Sequence, residues 1–408
     1  MIKKILSLKT RKKIKSKVFS ISKYFNETKI FVKTNTSLSN NKKDIINFSI
    51  ISWHYRYQRP QHLAKCLSKL NCRVFYIQTE LLPSTAKKAI FRLKEILKNI
   101  YLVNLSSSKE LFIYTDTPNN KDIEIFRNSL NNLIVQANIK NPILKIDHPF
   151  WYYFLKDLDY PIIYDCMDNH KDFPYYNPKL DDIEETLIKK SNHVIASSNY
   201  LKKIINTINK KNTLIPNAVD YNYFSTKQNK IPKDIENSNK PIIGYYGAIS
   251  PWIDDILIEK ILIEFPKATL LLIGQVDNLK IQGLQKKYPN LILLGEKSYQ
   301  DIPKYLEYFN VCLIPFKITP LIKATNPVKI YEYLSKNKAV VTTKLPELEK
   351  IKDLIYLSNS HHDFIKNINT ALKENKNTKR QKYAKLNTWE KRCKQLNKII
   401  ELIYSNNE

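Results

Sequence analysis

The chain has 408 residues, 43% of them apolar, which is enough for two domains with cores of their own. No apolar run approaches the ~18 residues of a membrane-spanning helix, and no continuous apolar stretch follows the basic start Met1-Ile-Lys-Lys, so neither a span nor a signal peptide is expected. The formal charge of +29 is mostly lysine spread along the chain and forms no recognisable nucleic-acid-reading module, so nucleic acid is not an expected partner.

Taken in order, Met1–Asn26 concentrates Lys3, Lys4, Lys9, Arg11, Lys12, Lys13, Lys15, Lys17 and Lys23 without an acid, among Ile5, Leu8, Val18, Phe19 and Phe25. This pattern predicts a basic helix lying on an anionic membrane surface. The expected localisation is therefore cytoplasmic and peripheral, on the inner face of the plasma membrane. Residues 1–42 form this extension. Strand–helix alternation follows: strands at Ile45–Trp53, Arg73–Gln78, Leu111–Thr115, Ile143–Asp147, Pro161–Asp165, His193–Ser197 and Thr213–Pro216, with helices at Gln58–Leu70, Lys121–Asn138, Asp181–Lys190 and Tyr200–Ile208. Residues 43–222 are thus a first Rossmann-like domain, and the polar stretch 223–240 a linker.

A second alternating unit spans 241–378. Its strands are expected at Ile242–Tyr246, Thr269–Ile273, Leu291–Leu294, Val311–Pro315, Ala339–Thr343 and Ile355–Leu357, and its helices at Ile256–Phe265, Ile302–Tyr308, Val328–Ser335 and Phe364–Lys373. One long final helix, Lys379–Tyr404 within 379–408, should cross back to the first domain. The fold class is α/β, with two doubly wound sheets and a cleft between them. All five glycines (Gly244, Gly247, Gly274, Gly283 and Gly295) fall in the second unit. Ligands of open α/β sheets bind at the carboxyl ends of strands, where a residue without Cβ allows close approach, so this unit is the nucleotide side. The five cysteines (Cys66, Cys72, Cys166, Cys312 and Cys393) are odd in number, scattered and without metal spacing, and read as buried reduced thiols.

The densest local constellation is Ala324-Thr-Asn-Pro-Val-Lys-Ile-Tyr-Glu-Tyr-Leu-Ser335. Asn326 suits an N-cap and Pro327 the first helical position. The free N–H groups and positive dipole end of such a helix suit a diphosphate. Lys329 adds a charge, and Glu332, three residues on, shares its face and could accept hydrogen bonds from a ribose. An ordinary capped helix with a surface Lys–Glu pair would read the same way.

Asn326-Pro-Val-Lys-Ile-Tyr-Glu-Tyr-Leu-Ser-Lys-Asn-Lys-Ala-Val-Val-Thr342 resembles the donor-site signature of GT-B fold glycosyltransferases of the group 1 (family 4) type. It is most similar to bacterial members acting on capsule, teichuronic acid or lipopolysaccharide. Trp53-His-Tyr-Arg-Tyr-Gln-Arg-Pro-Gln-His-Leu-Ala64, Leu214-Ile-Pro-Asn-Ala-Val-Asp220, Tyr245-Tyr-Gly-Ala-Ile249 and Leu294-Gly-Glu-Lys-Ser-Tyr-Gln-Asp-Ile-Pro303 carry the resemblance along nearly the whole chain. The resemblance implies a transferase that takes a nucleotide-diphosphate sugar and a glycan or glycolipid acceptor, with no cofactor and no metal. It implies that Glu332 binds the ribose and that Asn326, Pro327 and Val328 with Lys329 hold the diphosphate. The loop after Gly295, with Lys297 and Tyr299, would flank the base, and Gly247 and Ala248 would lie near the phosphates. Ala324 stands where many members have a first glutamate, so Thr325 or Asn326 would contact the sugar instead.

On the acceptor side, Trp53 and His54 replace a glycine pair and suggest a different pocket, and Arg59 could point into the cleft. Asp168, after the strand at Tyr164, is the favoured general base if the reaction inverts, with His148 second. Asp157-Leu-Asp159 matches a metal motif of another glycosyltransferase fold but sits in a polar turn. Two further readings stand beside the transferase: a sugar-nucleotide epimerase of similar architecture, and a non-catalytic basic adaptor for membrane or nucleic acid.

Overall fold

The computed structural model describes residues 42–85, 90–375 and 377–406, so the basic segment Met1–Asn26 lies outside the described residues. The first unit carries β1 Lys43–Phe48, β2 Cys72–Ile77, β3 Leu82–Pro83, β4 Arg92–Leu97, β5 Ile100–Asn104, β6 Ser106–Ser107, β7 Ile143–Ile146, β8 Ile162–Cys166, β9 His193–Ala196 and β10 Asn212–Leu214. Eight of these form one sheet in the order β10-β9-β8-β7-β1-β2-β5-β4, while β3 and β6 pair separately. Within the large sheet only β4 runs antiparallel to its neighbour. Strands β2, β7 and β8 are buried along their whole length, because helices cover both faces of a parallel sheet.

The hairpin β4–β5 escaped sequence reading. Strand β4 is mostly exposed and charged, and its turn holds Asn99 at φ 66°. The strand expected at Leu111–Thr115 is a turn instead. Its place beside β2 is taken by β5, while Leu111 and Ile113 still reach the core as loop residues.

The second unit holds β11 Ile242–Tyr246, β12 Thr269–Ile273, β13 Leu291–Leu293, β14 Val311–Ile314, β15 Ala339–Thr343 and β16 Tyr356–Ser358, all parallel, in the order β13-β12-β11-β14-β15-β16. One apolar cluster fills this unit. Two clusters sandwich the first sheet.

The two crossings between the units differ from expectation. Residues 223–240 are not a free linker: Phe224 and Ile235 are buried in the second core, and the Tyr223 hydroxyl donates to the Gln300 carbonyl at 2.7 Å. The final helix is two helices, Lys379–Leu386 and Trp389–Ser405. Only the latter, through Trp389, Cys393, Leu396, Ile399, Ile400 and Ile403, packs on the first sheet, whereas Ala384 lies in the second core. The break has a local cause. Asn387 leaves helical geometry at ψ 64°, and the Thr388 side chain caps the new helix by accepting from the Lys391 amide. At the break the chain forms a bridge between Thr388 and Val219, so the outward and return crossings pair with each other.

Candidate functional site

Three strand ends of the second unit are laced together by glycine. Gly247 follows β11 at φ 130° and donates its amide to the Ile273 carbonyl at 2.8 Å. Gly274 follows β12 at φ 151°, and a Cβ there would lie 1.9 Å from the Gly247 carbonyl oxygen, so the two turns touch only because residue 274 lacks a side chain. Gly295 at φ 68° accepts the Gly274 amide at 2.8 Å. The neighbouring Ala248 carbonyl accepts from the Tyr245 hydroxyl at 3.1 Å. A Cβ on Gly247 would come within 3.1 Å of Lys329 Nζ, which places this bare backbone beside the lysine.

The helix Val328–Ser335 begins after Pro327, which holds extended backbone (ψ 119°) at the cap position. Asn326 is not the N-cap. Its Oδ1 accepts from the Asn217 amide at 3.0 Å and from the Tyr331 hydroxyl at 3.2 Å, while Asn217 Nδ2 donates to the Asn326 carbonyl at 2.7 Å. The residue expected to cap the helix ties it to the first unit instead. No side chain from the cap position bonds the first turn, where the Ile330 amide donates to the Pro327 carbonyl at 3.3 Å. Thr325 spends its hydroxyl on the Leu321 carbonyl at 2.9 Å, and Val328 packs on the first unit's core.

Lys329 and Glu332 are not a surface pair. Glu332 is 5% exposed, and its Oε2 accepts from the Tyr246 hydroxyl at 2.6 Å. Burial pushes its carboxyl up to about 7, against the Tyr246 hydrogen bond and the Lys329 charge. Burial pulls the Lys329 ammonium down to about 8, with Glu332 opposing and Arg56 adding to the depression. The ammonium lies 5.2 Å from the Tyr245 ring centre and 5.6 Å from that of Phe316. A half-buried cation framed by rings beside glycine backbone at a helix start is an arrangement that can attract an anion.

The loop after Gly295 divides. Lys297 is drawn away to Asp234, at 2.7 Å, and lies over the Tyr305 ring, so it does not join Lys329. Tyr299 enters an aromatic cluster between the units, 5.0 Å from Tyr57 and 5.4 Å from His62, with His62 stacked on Trp389 at 4.7 Å. Burial, then the nearby Glu332 carboxylate, drives its phenol well above the ordinary value. Sequence reading missed Arg56, which reaches across from the first unit to Glu296 at 2.9 Å and to Gln275 at 3.4 Å.

The acceptor side is corrected more heavily. Trp53 is 8% exposed, packs edge-on to Tyr76 at 5.1 Å and belongs to the core rather than a pocket. His54 is exposed. Arg59 is buried and does not point into the cleft: its Nε donates to both Asp165 oxygens at 3.0 and 3.1 Å, and Nη1 donates to the Ile215 carbonyl at 2.8 Å. Lys145 joins the same network between Asp147 and Asp165. Burial alone would raise the Asp165 carboxyl, but Arg59 and Lys145 outweigh it and hold it low.

His148 accepts the Phe150 amide on Nδ1 at 3.2 Å, which leaves the proton on Nε2, so it is a donor and not a base. Its Nε2 and both ring nitrogens of His170, 4.7 Å away, are buried without a partner. Burial holds the His170 ring neutral, down to about 4. Asp168, two residues before His170 in the chain, is pushed up to about 6 by burial, with Arg59 opposing and Asp165 adding. Asp157 of the Asp-x-Asp turn pairs with Arg127 at 2.7 Å. Among the described residues no three His, Cys, Asp or Glu side chains gather as a metal-holding group.

Two α/β units, each built on a parallel sheet, make the GT-B fold, and solved structures share it. The chain is similar to sucrose-phosphate synthase of Thermosynechococcus elongatus (TM-score 0.67, 13% identity, 90% of this chain and 100% of that one). It is also similar to α,α-trehalose 6-phosphate synthase of Burkholderia multivorans (0.63, 9%, 90% and 100%) and to HepE of Anabaena, solved with UDP and glucose (0.59, 14%, 88% and 99%). In sequence it is 26% identical over 210 residues to TuaH of Bacillus subtilis (strain 168), assigned to teichuronic acid biosynthesis as a glycosyltransferase. That match covers 47% of this chain and spans about half, 52%, of the relative. No family model matches.

Proposed function

We propose that the protein is a glycosyltransferase that moves a sugar from a nucleotide-diphosphate sugar to a hydroxyl of a surface-polysaccharide or lipid-linked glycan acceptor. One observation carries this reading: the half-buried Lys329 ammonium, set beside Gly247 at an uncapped helix start, with the buried Glu332 carboxylate one turn on. Lys329 and the first-turn amides would hold the diphosphate, and Glu332 would accept from the ribose hydroxyls. The likeness to TuaH and to the UDP-bound HepE supports the same reading.

In the transfer, the bond between the anomeric carbon and the diphosphate oxygen breaks, and its electron pair goes to the phosphate. The acceptor oxygen bonds to that carbon and loses its proton. Lys329 and the amides stabilise the departing charge, and Asp168 would take the proton in an inverting reaction. No step in this scheme calls on a metal or cofactor. His148 and His170, neutral and with unpartnered ring nitrogens, would hydrogen-bond sugar hydroxyls as the units move.

Thermal-shift screening against UDP-, GDP- and ADP-sugars tests the reading. A ligand at 100 times its Kd stabilises the fold by about 2.7 kcal/mol, and no shift with any nucleotide would refute the assignment. Among the described residues no helix is long and apolar enough to cross a membrane. The cytoplasmic, peripheral placement rests on Met1–Asn26. Deleting Met1–Lys33 should abolish co-sedimentation with anionic vesicles while leaving turnover on a soluble acceptor, and unchanged sedimentation would refute it.

A further inference from the structure

Lys329 alone is a poor match for a diphosphate. The ligand carries at least two negative charges, whereas the lysine is depressed by burial and already faces Glu332. The other cation whose charge reaches the Lys329 ammonium is Arg56, and it comes from the first unit. It lies on the loop between β1 and the helix Arg59–Leu67, and Gln61 Nε2 pins that loop by donating to the Arg56 carbonyl. Its guanidinium lies over the Tyr55 ring at 4.8 Å and also perturbs Tyr245, one of the two rings that frame Lys329.

Arg56 is held by residues immediately beyond the glycines of the diphosphate floor. Nε donates to Glu296, the neighbour of Gly295, at 2.9 Å, and Nη2 donates to Gln275, the neighbour of Gly274, at 3.4 Å. The Tyr55 hydroxyl shares the Gln275 oxygen at 3.4 Å. The ion pair is not a buried structural one, since its side chains are 25% and 36% exposed. Exposed pairs of this kind bind weakly and exchange readily. A guanidinium fork suits two oxygens of a phosphate at least as well as one carboxylate.

Resting on the proposed function, we infer that Arg56 is a donor-binding residue supplied across the cleft by the acceptor-side unit. Glu296 occupies it until the diphosphate arrives. Donor binding then exchanges Glu296 for phosphate oxygens and draws the two units together, so that full neutralisation of the diphosphate requires the closed arrangement. Arg56 binds and orients, and its positive charge adds to that of Lys329 on the leaving diphosphate. Glu296 competes for the same guanidinium and makes no contact with the ligand.

The test is titration calorimetry of the full chain with UDP, GDP and ADP, and with the corresponding monophosphate of whichever binds. Arg56→Ala should weaken the diphosphate by about 10- to 100-fold and the monophosphate much less, with Arg56→Lys in between. Glu296→Gln should leave the diphosphate unweakened or tighten it by up to about 5-fold. Unchanged diphosphate affinity in Arg56→Ala overturns the inference. So does an equal loss in Arg56→Ala and Glu296→Gln, which would mean that the ion pair only holds the units together. If the wild type binds none of the three diphosphates, the functional reading itself falls and takes this inference with it.

Discussion

Replacing Lys329 by methionine separates stability from function at the centre of the site. Burial brings the ammonium from 10.5 down to about 8, so folding it charged at pH 7 costs roughly 3 kcal/mol. Its contacts with the Tyr245 and Phe316 rings return about 1–2 kcal/mol. Methionine keeps the stem and removes the charge, so the ligand-free protein should gain roughly 1–2 kcal/mol, a few degrees in Tm. The same change should remove the thermal shift caused by nucleoside diphosphates.

The sign with pH follows from the depressed ammonium. Between about 8 and 10.5 the unfolded chain binds the proton and the native chain does not, so wild-type stability from this group rises with pH across that window. The methionine variant should lack this rise. Diphosphate affinity should fall in the wild type above pH 8, as the cation is lost. Differential scanning calorimetry at pH 7 and 9, with and without UDP, GDP or ADP, reads all of these. A variant that is less stable and still binds a diphosphate normally would refute the reasoning.

Glu332→Gln keeps a hydrogen-bond acceptor for Tyr246 and should preserve stability, whereas Glu332→Ala orphans the buried hydroxyl and should cost about 1–3 kcal/mol by urea unfolding. Both should bind the donor about 10- to 100-fold more weakly, and full affinity in either would remove Glu332 from the ribose. With Asp168 as base, kcat/KM should fall tenfold per pH unit below about 6, and Asp168→Asn should lose that limb along with about 100- to 10,000-fold in rate. A variant keeping the acid limb would exclude Asp168. Arg59→Leu leaves Asp165 short of a partner inside the first unit and should cost about 3–5 kcal/mol, read as early unfolding of that unit, and a loss under 1 kcal/mol would refute the structural role.

Much of the second unit was legible because its signals are local. Gly247 and Gly295 stand where strands end, and the helix Val328–Ser335 matches the expected span to the residue. The misreadings share a cause: the deciding partner is far away in sequence. Asn326 looks like a cap until Asn217, 109 positions earlier, claims its oxygen. Arg59 looks like a cleft residue until Asp165, 106 positions later, binds it. Arg56, within Trp53–Ala64, gives no local signal because its partner Glu296 is 240 positions away. Residues 223–240 read as a polar linker because two buried side chains, Phe224 and Ile235, are too few to make a period.

Periodicity and backbone preference act over a few residues, so the chain alone determined two parallel α/β sheets, bare strand ends and a helix opening beside Lys329. Charge pairing and burial depend on which surfaces meet. Only the tertiary packing decided that Lys329 and Glu332 are drawn in from solvent among Tyr245, Phe316 and Tyr246 of their own unit, that Asn326 clasps the first unit, and that an arginine of one unit rests against a carboxylate of the other.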